Sequence, residues 1–321
     1  MCRKRSQRTD YDWSIIRQQR TSIIGYRISR WAVMMELGMV PAQPLQPAFS
    51  GTFPSRNKSR RNQEKVMQNC SRPVKPIFPF KVNGNIGFEF SFAFQPIVDA
   101  RNREIISFEA LVRGPHGEPS ASVFAQVPKY DFPRFDEICR SNAIYLASRL
   151  KNPKRLNLNL SAQSIYEIDL SIMTTFQASI RSGIPVENII FEVLEMESLT
   201  DQRNLLQYLR LIQDFGFTTA IDDFGAGYSG LKLLAEYQPN YIKLDRFLIG
   251  NIQQDFVRQR IFTGVKQICE QLAIEIVAEG VENVEEYHWL HEAGISIFQG
   301  YYFARPAFEA LPDVASKIFS T

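Results

Sequence analysis

The chain of 321 residues is 45% hydrophobic and 22% charged, an ordinary globular composition with length for a sizeable core. No run of about 18 apolar residues occurs, which argues against a spanning helix. Four cysteines, none paired at metal-ligand spacing, exclude a disulfide framework and point to a reducing cytoplasm.

Charge is distributed unevenly. Residues 1–80 hold 15 Lys+Arg and 4 Asp+Glu, whereas residues 81–321 hold 22 and 30. A basic stretch therefore precedes an acidic domain. Attraction to nucleic acid or a membrane surface is one reading of such a stretch. No aromatic interleaving accompanies the basic residues, so a solvated, disordered extension is the better expectation, and nucleic-acid binding is not favoured. The apolar segment Trp31–Val40 is short and carries Glu36, and no small-residue cleavage site follows it. Residues 41–80 are rich in Pro, Ser, Asn and Arg, a composition that resists packing and reads as linker.

Periodic structure begins near Phe88. Strands are expected at Phe88–Val98, Ile105–Arg113, Arg155–Leu160, Ile189–Leu194, Thr218–Ile221, Tyr241–Leu244, Glu275–Ala278 and Ser296–Gln299. Apolar residues at helical spacing fall in Arg134–Leu150, Leu170–Ser182, Gln202–Phe215, Phe256–Gln271 and Val284–Glu292. Eight strands with interleaved helices predict an α/β fold, a TIM-like (β/α)8 barrel over residues 81–321. Only Asp99–Glu104 separates the first two strands, too short for a helical crossover, so the first strand is expected to run antiparallel.

Barrel enzymes place their chemistry at the C-terminal ends of the strands. There the sequence offers Glu109 and Arg113, Asn159, Glu192 and Glu195, Asp222 and Asp223, Lys243 and Asp245, Glu279 and Glu282, and Gln299. The three histidines do not join them. His288 and His291 read as surface residues of the last helix, because nothing around them completes a zinc site. Taken singly, each acid has an ordinary explanation as a cap or turn residue. Their recurrence at one point of the strand pattern does not.

Six or more acids at one rim would repel one another and need cations. Oxygen ligands without histidine or cysteine favour two divalent ions of the Mg²⁺ or Mn²⁺ kind. Adjacent Asp222 and Asp223 would serve a metal pair about 3.5–4 Å apart, as in phosphoryl displacement.

FEALVRG at 108–114 resembles the segment that names the EAL family of cyclic di-GMP phosphodiesterases. QPIVD at 95–99, LNLS at 158–161, FEVLE at 191–195, DDFGAGYSGL at 222–231, YIKLDR at 241–246, VAEGVE at 277–282 and QGYYFARP at 299–306 resemble its other motifs, in order. The resemblance implies metal-dependent hydrolysis of cyclic di-GMP to linear pGpG. It implies metal ligation by Glu109, Asn159, Glu192, Asp222 and Asp223. Lys243 matches the lysine that contacts the attacking water, and Glu279 the acid supporting it. Arg113, Gln95 and Gln299 fall on the substrate side. Glu195 resembles the acid that steadies the loop after the fifth strand, and that loop, Asp223–Gly230, lies near a homodimer contact in the family. Ala226 and Leu194 stand where the family usually has threonine, and Gly230 where serine is frequent. These departures put turnover rate in doubt more than competence.

Two other readings stay open at this point. One is a degenerate EAL domain that holds cyclic di-GMP or a protein without hydrolysis. The other is a barrel lyase with Lys243 as Schiff-base nucleophile, against which the surrounding acids argue by keeping the amine charged.

Overall fold

The computed structural model describes residues 81–82, 86–151, 154–161, 168–195, 202–227 and 230–319. The basic stretch 1–80, read above as extension and linker, lies outside the described residues. A two-residue hairpin, Lys81–Val82 with Ile86–Gly87, precedes the barrel.

The barrel strands are β1 Ser91–Asp99, β2 Glu104–Arg113, β3 Arg155–Leu160, β4 Ile189–Leu194, β5 Thr218–Phe224, β6 Tyr241–Leu244, β7 Glu275–Ala278 and β8 Ile297–Phe298. They pair in chain order, and all neighbours from β2 to β8 are parallel. The first strand is antiparallel to β2 and also to β8, where Ile297 faces Asp99 and Phe298 faces Val98. That second pairing closes the barrel. A short β9, Ala307–Phe308, extends the same edge of β1. The closed (β/α)8 barrel with a reversed first strand is as the strand spacing predicted.

Helices α1 Phe132–Arg149, α2 Ile168–Ser182, α3 Gln202–Asp214, α4 Gly230–Glu236, α5 Phe256–Leu272 and α6 Val284–Glu292 alternate with the strands. In α1, Phe135, Ile138, Cys139, Ile144 and Ala147 are buried at three-to-four spacing and face the barrel wall. Local chemistry sets helix starts. The Asp255 side chain accepts from the Val257 and Arg258 N–H groups at the start of α5, and Asn283 accepts from Glu286 at the start of α6.

Strand alternation then sorts the side chains. In β3, Leu156, Leu158 and Leu160 are buried in the outer core shared with the helices, which turns Asn157 and Asn159 toward the bore. Below the rim, Ile97, Val277 and Ile297 pack with Ile106 and Tyr241 as an apolar plug.

The observed elements differ from the expected ones in a few places. The fifth strand runs on to Phe224 through an irregularity, and α4 and β9 were not anticipated. The α4 segment is only seven residues long, too short for a periodic signal, and β9 is two residues held by its partner.

Candidate active site

Strands β2, β4, β5 and β6 and the turn after β7 deliver their polar residues to one point. The ammonium of Lys243 lies 2.8 Å from Asp222 Oδ1, 3.0 Å from Glu192 Oε1, 3.1 Å from Glu279 Oε2 and 3.3 Å from Glu109 Oε2. Lys243 is fully buried. One ammonium has three N–H groups and cannot direct one at each of four carboxylates. Among the described residues, Glu192 Oε2 is buried without a hydrogen-bond partner.

The surrounding amides hold the carboxylates in place. Gln299 Nε2 donates to Glu109 Oε2 at 2.6 Å, and Asn159 Nδ2 to Glu109 Oε1 at 3.1 Å. Gln299 also reaches Gln95 Oε1 at 3.4 Å, and Gln95 in turn donates to the Ala304 carbonyl. Asn157 Nδ2 donates to Glu192 Oε1 at 2.8 Å.

Asp222 and Asp223 need a special backbone. Neighbouring residues of a regular strand point to opposite faces. Asp223 has φ +53°, left-handed, and the β5–β6 register gains one residue between Ile221 and Phe224. This bulge turns both side chains to the same rim, so that Asp222, Asp223 and Glu279 each bring a carboxylate oxygen within 4.8 Å of the others. Aspartate is among the few residues that tolerate this conformation.

The loop that follows is tied to β4. Glu195 accepts from the Gly225 N–H at 2.7 Å and from the Gly230 N–H at 2.6 Å. A Cβ at Gly225 would lie 2.1 Å from the Leu248 side chain, and one at Gly230 2.7 Å from the Phe224 ring. Gly225, at φ +97°, requires glycine for this loop path, and a side chain at Gly230 would need the Phe224 ring to shift. Tyr228 and Ser229 lie outside the described residues.

A family model for the EAL domain matches residues 85–306, more than half of the chain. The chain belongs to the EAL domain family. Two curated relatives from Escherichia coli K12 align with it. The blue light- and temperature-regulated antirepressor BluF is 32% identical over 70% of this chain and 56% of its own length. The probable cyclic di-GMP phosphodiesterase PdeG is 33% identical over 66% of this chain and 44% of its own length. The chain thus spans about half the length of these relatives. Among solved structures, a standalone EAL protein from Vibrio cholerae O395 in its c-di-GMP-bound form is 44% identical, with a TM-score of 0.71 over 74% of this chain and all of that one. The manganese and cyclic di-GMP complex of Klebsiella pneumoniae BlrP1 at pH 9.0 is 35% identical, with a TM-score of 0.68 over 74% of this chain and 60% of that one.

Within this EAL domain the electrostatics follow from burial. Desolvation pushes the Glu192 carboxyl well above the ordinary range, and Glu109 adds to the push. Glu279 is likewise raised, by burial first and by Asp222 and Glu109 against the pull of Lys243. Burial also opposes the charged form of Asp222, but Lys243 and its hydrogen bonds outweigh it, and Asp222 is lowered. Asp223 is raised to about 6 by burial and by its neighbours Asp222 and Asp245. For Lys243, burial favours the neutral amine, yet the four carboxylates prevail and raise it well above the usual lysine value.

The sequence-derived residues thus divide into three groups. Glu109, Asn159, Glu192, Asp222, Lys243, Glu279 and Gln299 form one bonded cluster, with Asp223 and Gln95 at its margins. Glu195 contacts the loop instead. Arg113, at the end of β2, donates to the Val112 carbonyl instead. Sequence reasoning missed Asn157. Its signal was the LNLN alternation, which places Asn157 and Asn159 on the same face of β3.

Proposed function

We propose that this EAL domain hydrolyses cyclic di-GMP to linear pGpG with divalent cations as cofactors. The observation carrying the reading is the convergence of Glu109, Glu192, Asp222 and Glu279 on Lys243, which, if all are ionised, leaves three negative charges in excess. Such a buried excess is costly unless cations complete it. The residues fit such cations: the donors are oxygens, Glu192 Oε2 has no partner among the described residues, and Asp222, Asp223 and Glu279 approach within reach of one ion. Relatives with cyclic di-GMP in their names or complexes, one of them with manganese, support the substrate class.

Glu109, Asn159, Glu192, Asp222 and Asp223 would hold the cations. Bound there, divalent ions lower the pKa of a water and neutralise phosphodiester oxygens. In its charged form Lys243 donates a hydrogen bond that orients the incoming water or a phosphate oxygen. The water oxygen adds to phosphorus, the bond from phosphorus to the 3′ oxygen breaks, and the 3′ oxygen takes up a proton as the water loses one. Gln299 and Asn159 keep the Glu109 carboxylate from turning as charge develops. Arg113, at the end of β2, would supply a guanidinium for a substrate phosphate. The Asp222–Asp223 bulge and its tie through Glu195 fix the loop beside the metal site.

The relative named an antirepressor favours a second reading, in which the domain binds a protein partner. Hydrolysis is preferred because every carboxylate the reaction needs is present and clustered. The test is an assay of purified protein on cyclic di-GMP with Mn²⁺, Mg²⁺ or EDTA. Linear pGpG appearing only with metal supports hydrolysis. Binding of the dinucleotide without product at any metal concentration overturns it.

A further inference from the structure

Asn157 does not touch the rim. It lies one layer deeper on β3, buried, pairing with Ile190 of β4. Its Nδ2 donates to Glu192 Oε1 at 2.8 Å. The same oxygen meets Lys243 at 3.0 Å. Both donors therefore engage one oxygen of the carboxylate and leave the other, Oε2, buried without a partner. A carboxylate free to rotate would share these donors between its oxygens. This one cannot do so, because the donor below belongs to a strand and the ammonium is locked by three further acids.

On its other side Asn157 lines a cavity of about 10 Å³ in the barrel bore, with Ser107, Arg155, Tyr241 and Lys243. Its own Oδ1 has no hydrogen-bond partner among the described residues. On that side no hydrogen-bond partner among the described residues holds the amide, so the hydrogen bond to Glu192 sets its orientation. With Glu192 ionised, as a metal ligand must be, its carboxylate only accepts, and the amide presents its NH₂.

We infer that Asn157 is a positioning residue for the metal site, one that holds Glu192 with Oε2 turned to the cation. The inference rests on the metal-dependent reading above. A hydrogen bond from behind a ligating group fixes its orientation and tunes its donor strength, and losing such a partner costs about 10–100-fold in metal affinity or activity.

The experiment compares wild type with Asn157→Leu, alike in branching but without a donor, and Asn157→Ser, too short to reach Glu192. Free Mn²⁺ is measured by electron paramagnetic resonance during titration of EDTA-treated protein, and hydrolysis is followed separately over a range of Mn²⁺. Both variants are expected to bind Mn²⁺ about tenfold more weakly. Their KM for cyclic di-GMP should stay unchanged, and kcat should recover at saturating Mn²⁺. A merely structural role would lower the melting temperature of the metal-free protein and leave Mn²⁺ affinity alone. Wild-type affinity in both variants overturns the inference and leaves the proposed function standing. Failure of the wild type itself to bind Mn²⁺ overturns both. If the leucine variant does not fold, the serine variant gives the same comparison.

Discussion

Lys243 Nζ stands 2.8 Å from Asp222 Oδ1, the shortest of its four carboxylate contacts, and the two side chains divide the charge of the cluster between them. Asp222 is held ionised by this contact while Glu192 and Glu279 are pushed toward their protonated forms. Asp222 is therefore the acid whose loss should cost the reaction most directly.

Asp222→Asn and Glu109→Ala are expected to reduce pGpG formation at least 100-fold, since a lost ligand forfeits about 3 kcal/mol or more of metal-assisted stabilisation. Circular dichroism should show an intact barrel in both. Wild-type-like turnover in either variant would remove that residue from the metal site.

Replacing Lys243 by Met leaves the carboxylates without their ammonium. Removing one partner of a buried ion pair costs about 3–5 kcal/mol, so the metal-free variant should melt well below the wild type. Mn²⁺ should restore much of the difference, because cations substitute for the missing charge, while turnover stays low. A variant melting like the wild type without metal would show that the acids do not depend on the lysine.

Stability should depend on pH in a metal-sensitive way. Glu192, Glu279 and Asp223 bind protons more tightly in the folded chain than in the unfolded one. Their contribution to metal-free stability is present below the unfolded carboxylate pKa and is lost as pH rises through their raised folded values. Asp222 is shifted the other way and offsets part of this, its contribution being lost as pH falls. Cations compete with these protons, so the gain in melting temperature with Mn²⁺ should grow between about pH 5 and pH 8. A gain independent of pH would contradict the raised values.

Glu195→Ala would leave the Gly225 and Gly230 N–H groups without their acceptor. An unpaired buried donor costs about 1–3 kcal/mol. Since Gly225 follows Asp223 by two residues, the loosened loop should lower kcat about tenfold or more and weaken Mn²⁺ binding, with little change in overall fold. Unchanged kinetics would mean that the loop keeps its path without Glu195.

The amino-acid sequence by itself determined the repeat of strand and helix, the reversal of the first strand and the recurrence of acids at the strand ends. These are local matters, since side-chain periodicity and loop length act over a few residues. The tertiary structure decided which of those polar groups meet. Arg113 reads as a rim residue like the others, yet it bonds to its own strand. Asn157 resembles ordinary strand polarity until β4 is laid beside it at a register that brings Glu192 within hydrogen-bond reach. The left-handed turn at Asp223 leaves no mark in the DD pair, although it alone puts both acids on one face. The direction of the Lys243 pKa is of the same kind: burial and four neighbouring carboxylates oppose each other, and only their distances settle which prevails.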